Sequence, residues 1–252
     1  MGPAAEPWGF ASRADAAAHV FAAGLDATVV IDGLDGHHLV RVRRLRVGER
    51  VTVSDGGGAW REYRISVAAP ARLVLDADGV VHREPALRPR LAVAFGVGKG
   101  AKPEQVVSGL TELGVDRIVP LRTARAVVRW EGDRAQTAVE RLRRVAREAA
   151  MQCRRSHLPD VAEPVDVAGL VTAGVFVLGD PDGVPVDQVP EPAGGEWLAV
   201  VGAEGGLASA ERAVLVARAE TVHLAVGPHV LRTETAALAV AAALAGRRQA
   251  GH

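Results

Sequence analysis

From residue 91 onward, short apolar runs alternate with longer amphipathic ones, and this rhythm limits the fold more than any other feature of the chain. Runs at 91–97, 116–121, 175–178, 197–201 and 222–226 are rich in Val, Leu, Ile and Ala and bounded by Gly, Asp or Pro, so they read as strands. Between and after them, 103–113, 133–154, 209–218 and 236–245 carry helical patterns; the first ends at Gly114 and the second before Pro159. Strands alternating with helices pair in parallel, and a parallel sheet needs cover on both faces. Ligands of such sheets bind outside the carboxyl ends of the strands.

The residues before about 84 follow another pattern. Runs at 27–31, 50–54, 62–67 and 72–75 read as strands separated by Asp-Gly, Gly-Gly and Pro. Leu39, Val42 and Leu45 recur every third residue and Gly48 follows, which predicts a helix over 37–49. Several short strands around one helix predict a small β-barrel at 19–84, preceded by an extension, 1–18. Pro85 and Pro89 mark 84–90 as a linker, with a second domain at 90–246.

The Ala-rich stretch 14–23 is interrupted by Asp15 and His19 and makes a poor signal peptide. No apolar run reaches the roughly 18–20 residues that cross a bilayer, so no membrane association is expected. Cys153 is the only cysteine, which excludes an intrachain disulfide and fits the reducing cytoplasm. Net charge is zero but unevenly spread. Residues 117–157 hold eleven Arg against four acids, and 158–252 hold five Arg against twelve acids, a swing from +7 to −7. The basic block is either a nucleic-acid footprint or the solvated face of a salt-bridged helix.

Two loops carry most of the chemistry. Val201-Gly202-Ala203-Glu204-Gly205-Gly206-Leu207 follows one strand, and Leu224-Ala225-Val226-Gly227-Pro228-His229-Val230-Leu231-Arg232-Thr233-Glu234-Thr235-Ala236 follows the last. Backbone N–H groups at such turns hold small polar ligands. The first loop fits neither Gly-x-Gly-x-x-Gly nor a P-loop. Near the start of the final helix, Thr233 or Thr235 suits a cap and Glu234 complements the dipole, whereas the Arg232 cation does not. Arg232 is therefore the leading contact residue. His37 and His38 diverge on a helix and lack a third ligand, so no metal is expected. Cys153 reads as a packing residue, and Asp180, Asp182 and Asp187 read as turn formers.

In this order the segments resemble the bacterial 16S rRNA (uracil-N3)-methyltransferases, of the trefoil-knot (SPOUT) class, over residues 19–244. The matching blocks are His37-His38-Leu39-Val40-Arg41-Val42-Arg43-Arg44-Leu45, Glu112-Leu113-Gly114-Val115, Glu148-Ala149 with Gln152, Arg155 and Pro159, and both C-terminal loops. The resemblance implies an α/β protein with an N-terminal PUA-like β-barrel and a C-terminal knotted domain. It implies S-adenosyl-L-methionine as methyl donor, 16S rRNA of the small ribosomal subunit as substrate, and a homodimer. Donor contacts fall on Leu178, Gly179, Gly202, Glu204, Gly205, Gly206, Leu224, Val226, Gly227, Val230, Leu231, Arg232, Thr233 and Thr235. The sequence departs from the family at Ala203 (usually Pro), at Thr123-Ala124-Arg125 (usually Ser-Glu-Arg), at Met151 (usually Glu) and at His19 (commonly Arg).

Under that resemblance, Arg232 stabilises negative charge developing on the uracil carbonyls, and Glu234 is either a base or a helix cap. Arg41, Arg43 and Arg44 of the barrel, with Arg122, Arg125, Arg129 and Arg155, contact RNA. N3 lies on the Watson–Crick edge, so the target base must be unpaired or flipped. Two other readings stay open: an RNA-binding assembly protein without catalysis, and a knotted methyltransferase of another base.

Overall fold

The structure, a computed structural model, describes residues 13, 15–99, 102–193, 195–218 and 220–250. Of the extension expected at 1–18, residues 1–12 and 14 lie outside the described residues. The chain divides into two compact units, Met1–Ala86 with Ala150–Leu158, and Leu87–Ala149 with Pro159–His252.

The first unit is a curled sheet in the order β1 (Ala18–Phe21), β3 (Arg50–Ser54), β4 (Ala59–Ala69), β5 (Arg72–Ala77) and β2 (Thr28–Ile31), with the short β6 (His82–Arg83) on β4. Its inner face packs Val20, Val51, Val53, Tyr63, Ile65, Leu73 and Leu75 into one core. β1 pairs in parallel with β3 and is wholly buried, although Ala-rich flanks hide it in the sequence. Sheet pairing here overrides intrinsic preference.

The helix expected over 37–49 is displaced. An α-turn, α1 (Gly33–His37), runs into a π-turn at His38–Val42. Arg44 then adopts φ 56°, which reverses the chain. Leu39 and Leu45 are consequently buried, while Val42, counted on the same stripe, is 62% exposed.

Ala150–Leu158 returns to this unit. The Ser54 hydroxyl donates to the Ser156 carbonyl at 2.7 Å, and His157 Nε2 donates to the Glu84 carbonyl at 2.9 Å. Met151, a departure from the family, is partly buried against the core. His19 sits between Thr52 Oγ1, 2.8 Å from Nδ1, and the Arg155 carbonyl, 3.1 Å from Nε2. Because a carbonyl only accepts, Nε2 carries the proton and Nδ1 accepts from Thr52. Burial above all, then the charge of Arg13, lowers the pKa of His19 to about 3, so the ring is neutral.

The second unit is the expected parallel sheet, ordered β10 (Val165–Asp166), β8 (Arg117–Arg122), β7 (Arg90–Gly96), β12 (Glu196–Val201), β11 (Val175–Val184) and β13 (Thr221–Leu224), with β9 (Asp160–Val161) beside β8. Every pairing is parallel. Side chains alternate between faces. Leu91, Val93 and Phe95 meet α2 (Lys102–Glu112), α3 (Gly132–Gln152) and α5 (Thr233–Ala250). Ala92 and Ala94 face the other core, with Leu215 of α4 (Ser209–Val216) and Val167 and Leu170.

Strand β11 continues past residue 178, the end expected from the apolar run: Gly179 and Val184 both register with Leu224, so the residues between them bulge out. Helix α5 starts at Thr233, before the expected 236, because Ala236 N–H already donates to the Arg232 carbonyl. Gly109 in α2 lets α5 approach closely; a Cβ there would lie 2.6 Å from Leu238 Cδ2. At the far end of α5, the Arg248 guanidinium donates to Asp116 at 2.7 Å and to the Gly114 carbonyl at 2.8 Å. Among the described residues, no helix is long and apolar enough to cross a membrane.

Candidate functional site

At the carboxyl ends of β11, β12 and β13, their following loops enclose a cavity of about 590 Å³. Of the expected donor contacts, Leu178, Gly179, Gly202, Glu204, Gly205, Gly206, Leu224, Val226, Gly227, Val230, Leu231, Arg232 and Thr233 line it; Thr235 does not. Thr235 is exposed on the first turn of α5.

The first loop is held by close backbone packing. The N–H of Gly206 donates to the Ala203 carbonyl at 2.7 Å, and Gly206 has φ 70°, which favours glycine. Ala203 closes this turn and is 5% exposed. It lies directly on the end of β7: a Cβ on Gly96 would be 2.2 Å from the Ala203 nitrogen. The Thr233 hydroxyl donates to the Gly202 carbonyl at 3.0 Å. Thr233 therefore ties the second loop to the first rather than capping α5.

The second loop is open to a ligand. Among the described residues, the amides of Val226, Gly227, His229, Val230 and Leu231 have no protein acceptor. A Cβ on Gly227 would meet nothing within 4 Å. Free amides facing a cavity are the chemistry that binds polar edges of a small molecule.

The polar end of the cavity is not legible as a site in the sequence. Asp180 and Arg212 both line it. The Asp180 carboxylate accepts from Arg212, from His223 Nδ1 at 2.7 Å and from the Asp182 amide at 3.1 Å. Burial pushes this carboxyl up, but the hydrogen bonds from His223, Asp182 and Arg212 outweigh it and bring its pKa down to about 2. Only the pairing across β11 and β13 brings these residues together.

Glu234 lies apart from the cavity. It lines a small cleft with Gly98, Lys102 and Glu204. Lys102 Nζ is 2.8 Å from Glu204 Oε1 and 3.7 Å from Glu234 Oε1. The hydrogen bond to Glu204 raises the Lys102 pKa, and the same bond lowers that of Glu204. Lys102 thus remains a cation.

The arginines expected to meet RNA divide by unit. In the first, Arg41, Arg43 and Arg44 are exposed around the π-turn, with Arg43 donating to the Ala17 carbonyl at 3.1 Å. Arg155 is half-buried in the returning segment. In the second unit, Arg122 pairs with Asp166 at 2.9 Å, and Arg125 donates to the Gly205 carbonyl at 3.0 Å. Arg125 therefore braces the donor-side loop. Arg129 is exposed. Glu211 accepts from the amides of Ala124 and Ala208, each at 2.7 Å, joining the 122–131 loop to the start of α4.

A family profile described as the RNA methyltransferase domain matches residues 85–245, and one described as the RNA methyltransferase PUA domain matches 31–76. The chain belongs to this RNA methyltransferase family. It is 36% identical to the Ribosomal RNA small subunit methyltransferase E of Mycobacterium bovis, over 84% of this chain and 83% of that protein. It is 27% identical to the Bacillus subtilis protein of the same name, over 84% of this chain and 87% of that one. Among solved structures it is similar to the Ribosomal RNA small subunit methyltransferase E from Neisseria gonorrhoeae bound to S-adenosyl methionine, with TM-score 0.80, 23% identity, and coverage of 90% of this chain and 96% of that one. The fold is a PUA-like domain plus an α/β domain of the trefoil-knot (SPOUT) type, as expected.

Proposed function

We propose that the chain transfers a methyl group from S-adenosyl-L-methionine to N3 of a uridine in 16S rRNA of the small ribosomal subunit. The observation that carries this reading is the cavity between the three strand-end loops, lined by unpaired amides and apolar side chains. Its size, about 590 Å³, falls within the roughly 300–1,000 Å³ of small-molecule sites. Space beside Gly206 and Gly227, where a Cβ would touch nothing, suits a ligand lying against backbone.

The donor supplies an electrophilic methyl on a sulfonium. The protein orients it through the loop amides and the side chains of Leu178, Leu224 and Leu231. Arg232, exposed where the second loop meets α5, presents its guanidinium to charge developing on the uracil carbonyls as N3 loses its proton. Glu204 and Glu234 hold Lys102 beside this point as a second cation. In this reading Glu234 acts through Lys102. Arg41, Arg43, Arg44 and Arg155 of the barrel region (19–84 and the returning segment), with Arg122, Arg125 and Arg129 of the methyltransferase domain (90–246), contact RNA phosphates. Homodimerisation, which the resemblance implies, and a cytoplasmic location, which the lone Cys153 fits, belong to the same reading.

Incubation of undermethylated small subunits with tritiated donor, followed by nucleoside mass spectrometry, tests the proposal. Label on 3-methyluridine is expected. Label on another base moves the chain to a different specificity, and no label on RNA overturns the reading.

A further inference from the structure

A second recess, of about 490 Å³, lies beyond the Lys102 cleft, and Gly98 lines both. Its walls come from the starts of α2 and α3 and the loop between β8 and α3, through Glu104, Val128, Trp130, Arg134 and Arg141. Trp130 is partly buried with one side packed on the core, and it also lines the recess. Glu104 pairs through Oε1 with Arg141 Nε at 2.9 Å. Its other oxygen, Oε2, is buried and has no hydrogen-bond partner among the described residues. A buried carboxylate oxygen without a donor is costly and calls for an explanation.

The chemistry of the recess selects its occupant. Glu104 Oε2 needs a hydrogen-bond donor, N–H or O–H, which excludes a fully ionised anion as the group that meets it. Trp130 offers an aromatic surface suited to a flat π-system, and Arg134 and Arg141 place cations at the rim, suited to attached phosphates. An unpaired nucleobase meets all three demands. A uracil undergoing methylation at N3 cannot donate that N–H to Glu104. We infer that this recess receives a nucleobase flanking the target uridine, stacked on Trp130 and donating an amino or imino N–H to the Glu104 carboxylate, which turns its buried Oε2 toward the recess to accept it. The inference rests on the RNA-methylating reading above, and it makes Trp130 and Glu104 substrate-positioning residues.

Steady-state methylation of undermethylated small subunits at saturating donor tests it, with Trp130→Ala, Trp130→Phe and Glu104→Ala, and with donor affinity measured in parallel by calorimetry. Loss of one base stack lowers kcat/KM for RNA by about tenfold in Trp130→Ala, and Trp130→Phe restores most of it. Glu104→Ala falls by a similar factor, and donor Kd stays within about twofold in all three. Values of kcat/KM within about twofold of wild type in both alanine variants overturn the inference, as does an equal loss of donor affinity, which marks a purely structural role. If the wild-type protein binds donor but leaves RNA unlabelled, the functional reading fails instead. Filter binding of the same RNA then decides the recess, through weaker or unchanged affinity in Trp130→Ala.

Discussion

Two recesses of similar size border α4 and differ in what lines them. The proposed donor cavity, about 590 Å³, is lined by glycine loops, apolar side chains and the charged Asp180, Glu204, Arg212 and Arg232, with backbone amides left unpaired. The other, about 630 Å³, is lined by Arg122, Arg129, Glu131, Asp166 and Glu211. Its charges are largely spent on one another and on local backbone: Arg122 on Asp166, Glu211 on two amides. Charge density alone therefore does not single out the proposed ligand site. Unmet hydrogen-bonding capacity does not separate the two either: among the described residues the charged recess holds the unpartnered Thr123 hydroxyl and the amides of Val128, Arg129 and Glu131, which have no protein acceptor, and what sets the proposed donor cavity apart is its lining of Gly179, Gly202, Gly205, Gly206 and Gly227.

The sharpest way to break this contrast is at Arg232, one of the charged residues lining the proposed donor cavity. Arg232→Ala lowers the methylation kcat on the order of 10²–10³-fold, with donor Kd changed by less than about threefold. Arg122→Ala, in the other recess, leaves kcat intact and weakens RNA binding less than about tenfold, because it removes one phosphate contact. Equal kcat losses in the two variants erase the distinction.

Backbone packing gives the next largest effect. Gly96→Ala forces a methyl to 2.2 Å from the Ala203 nitrogen, so strand end and loop must part. The expected cost is about 2–3 kcal/mol in urea unfolding, with donor affinity lost at the same time. Glu211→Ala, on the charged side, costs about 1–2 kcal/mol by releasing two amides and leaves donor Kd near wild type. A larger loss in Glu211→Ala than in Gly96→Ala contradicts this ranking.

A further effect lies in the curled sheet and depends on pH. His19 is neutral when folded, with a pKa of about 3 against 6.5 for the free side chain. The unfolded chain thus takes up the proton first as pH falls. The contribution is complete above 6.5 and is lost between 6.5 and 3, at about 1 kcal/mol per pH unit. His19→Gln flattens that slope in denaturant titrations between pH 6.5 and 4; an unchanged slope assigns it to other groups.

What is legible in the sequence is local. Strands 91–97 and 197–201 show as apolar runs between turn residues, and thirteen of the cavity's lining residues stand in or beside glycine loops that the chain displays as continuous motifs. What stays hidden is non-local. β1 is stabilised by β3 more than thirty positions away. The Asp180–His223–Arg212 cluster exists only because β11 and β13 are neighbours. Glu234 is legible as a charge beside a helix start, but its side chain's turn toward Lys102 depends on α2.

The central claim is that the three strand-end loops form the methyl-donor site. Calorimetric titration of the full chain with S-adenosyl-L-methionine, beside Gly227→Val, tests it most directly, because Gly227 lines the cavity and a Cβ there stands in open space with no protein atom within 4 Å. The account predicts one donor bound per chain by the wild type, and no binding by Gly227→Val at an unchanged melting temperature. Absence of binding by the wild type, or undiminished binding by the variant, contradicts it.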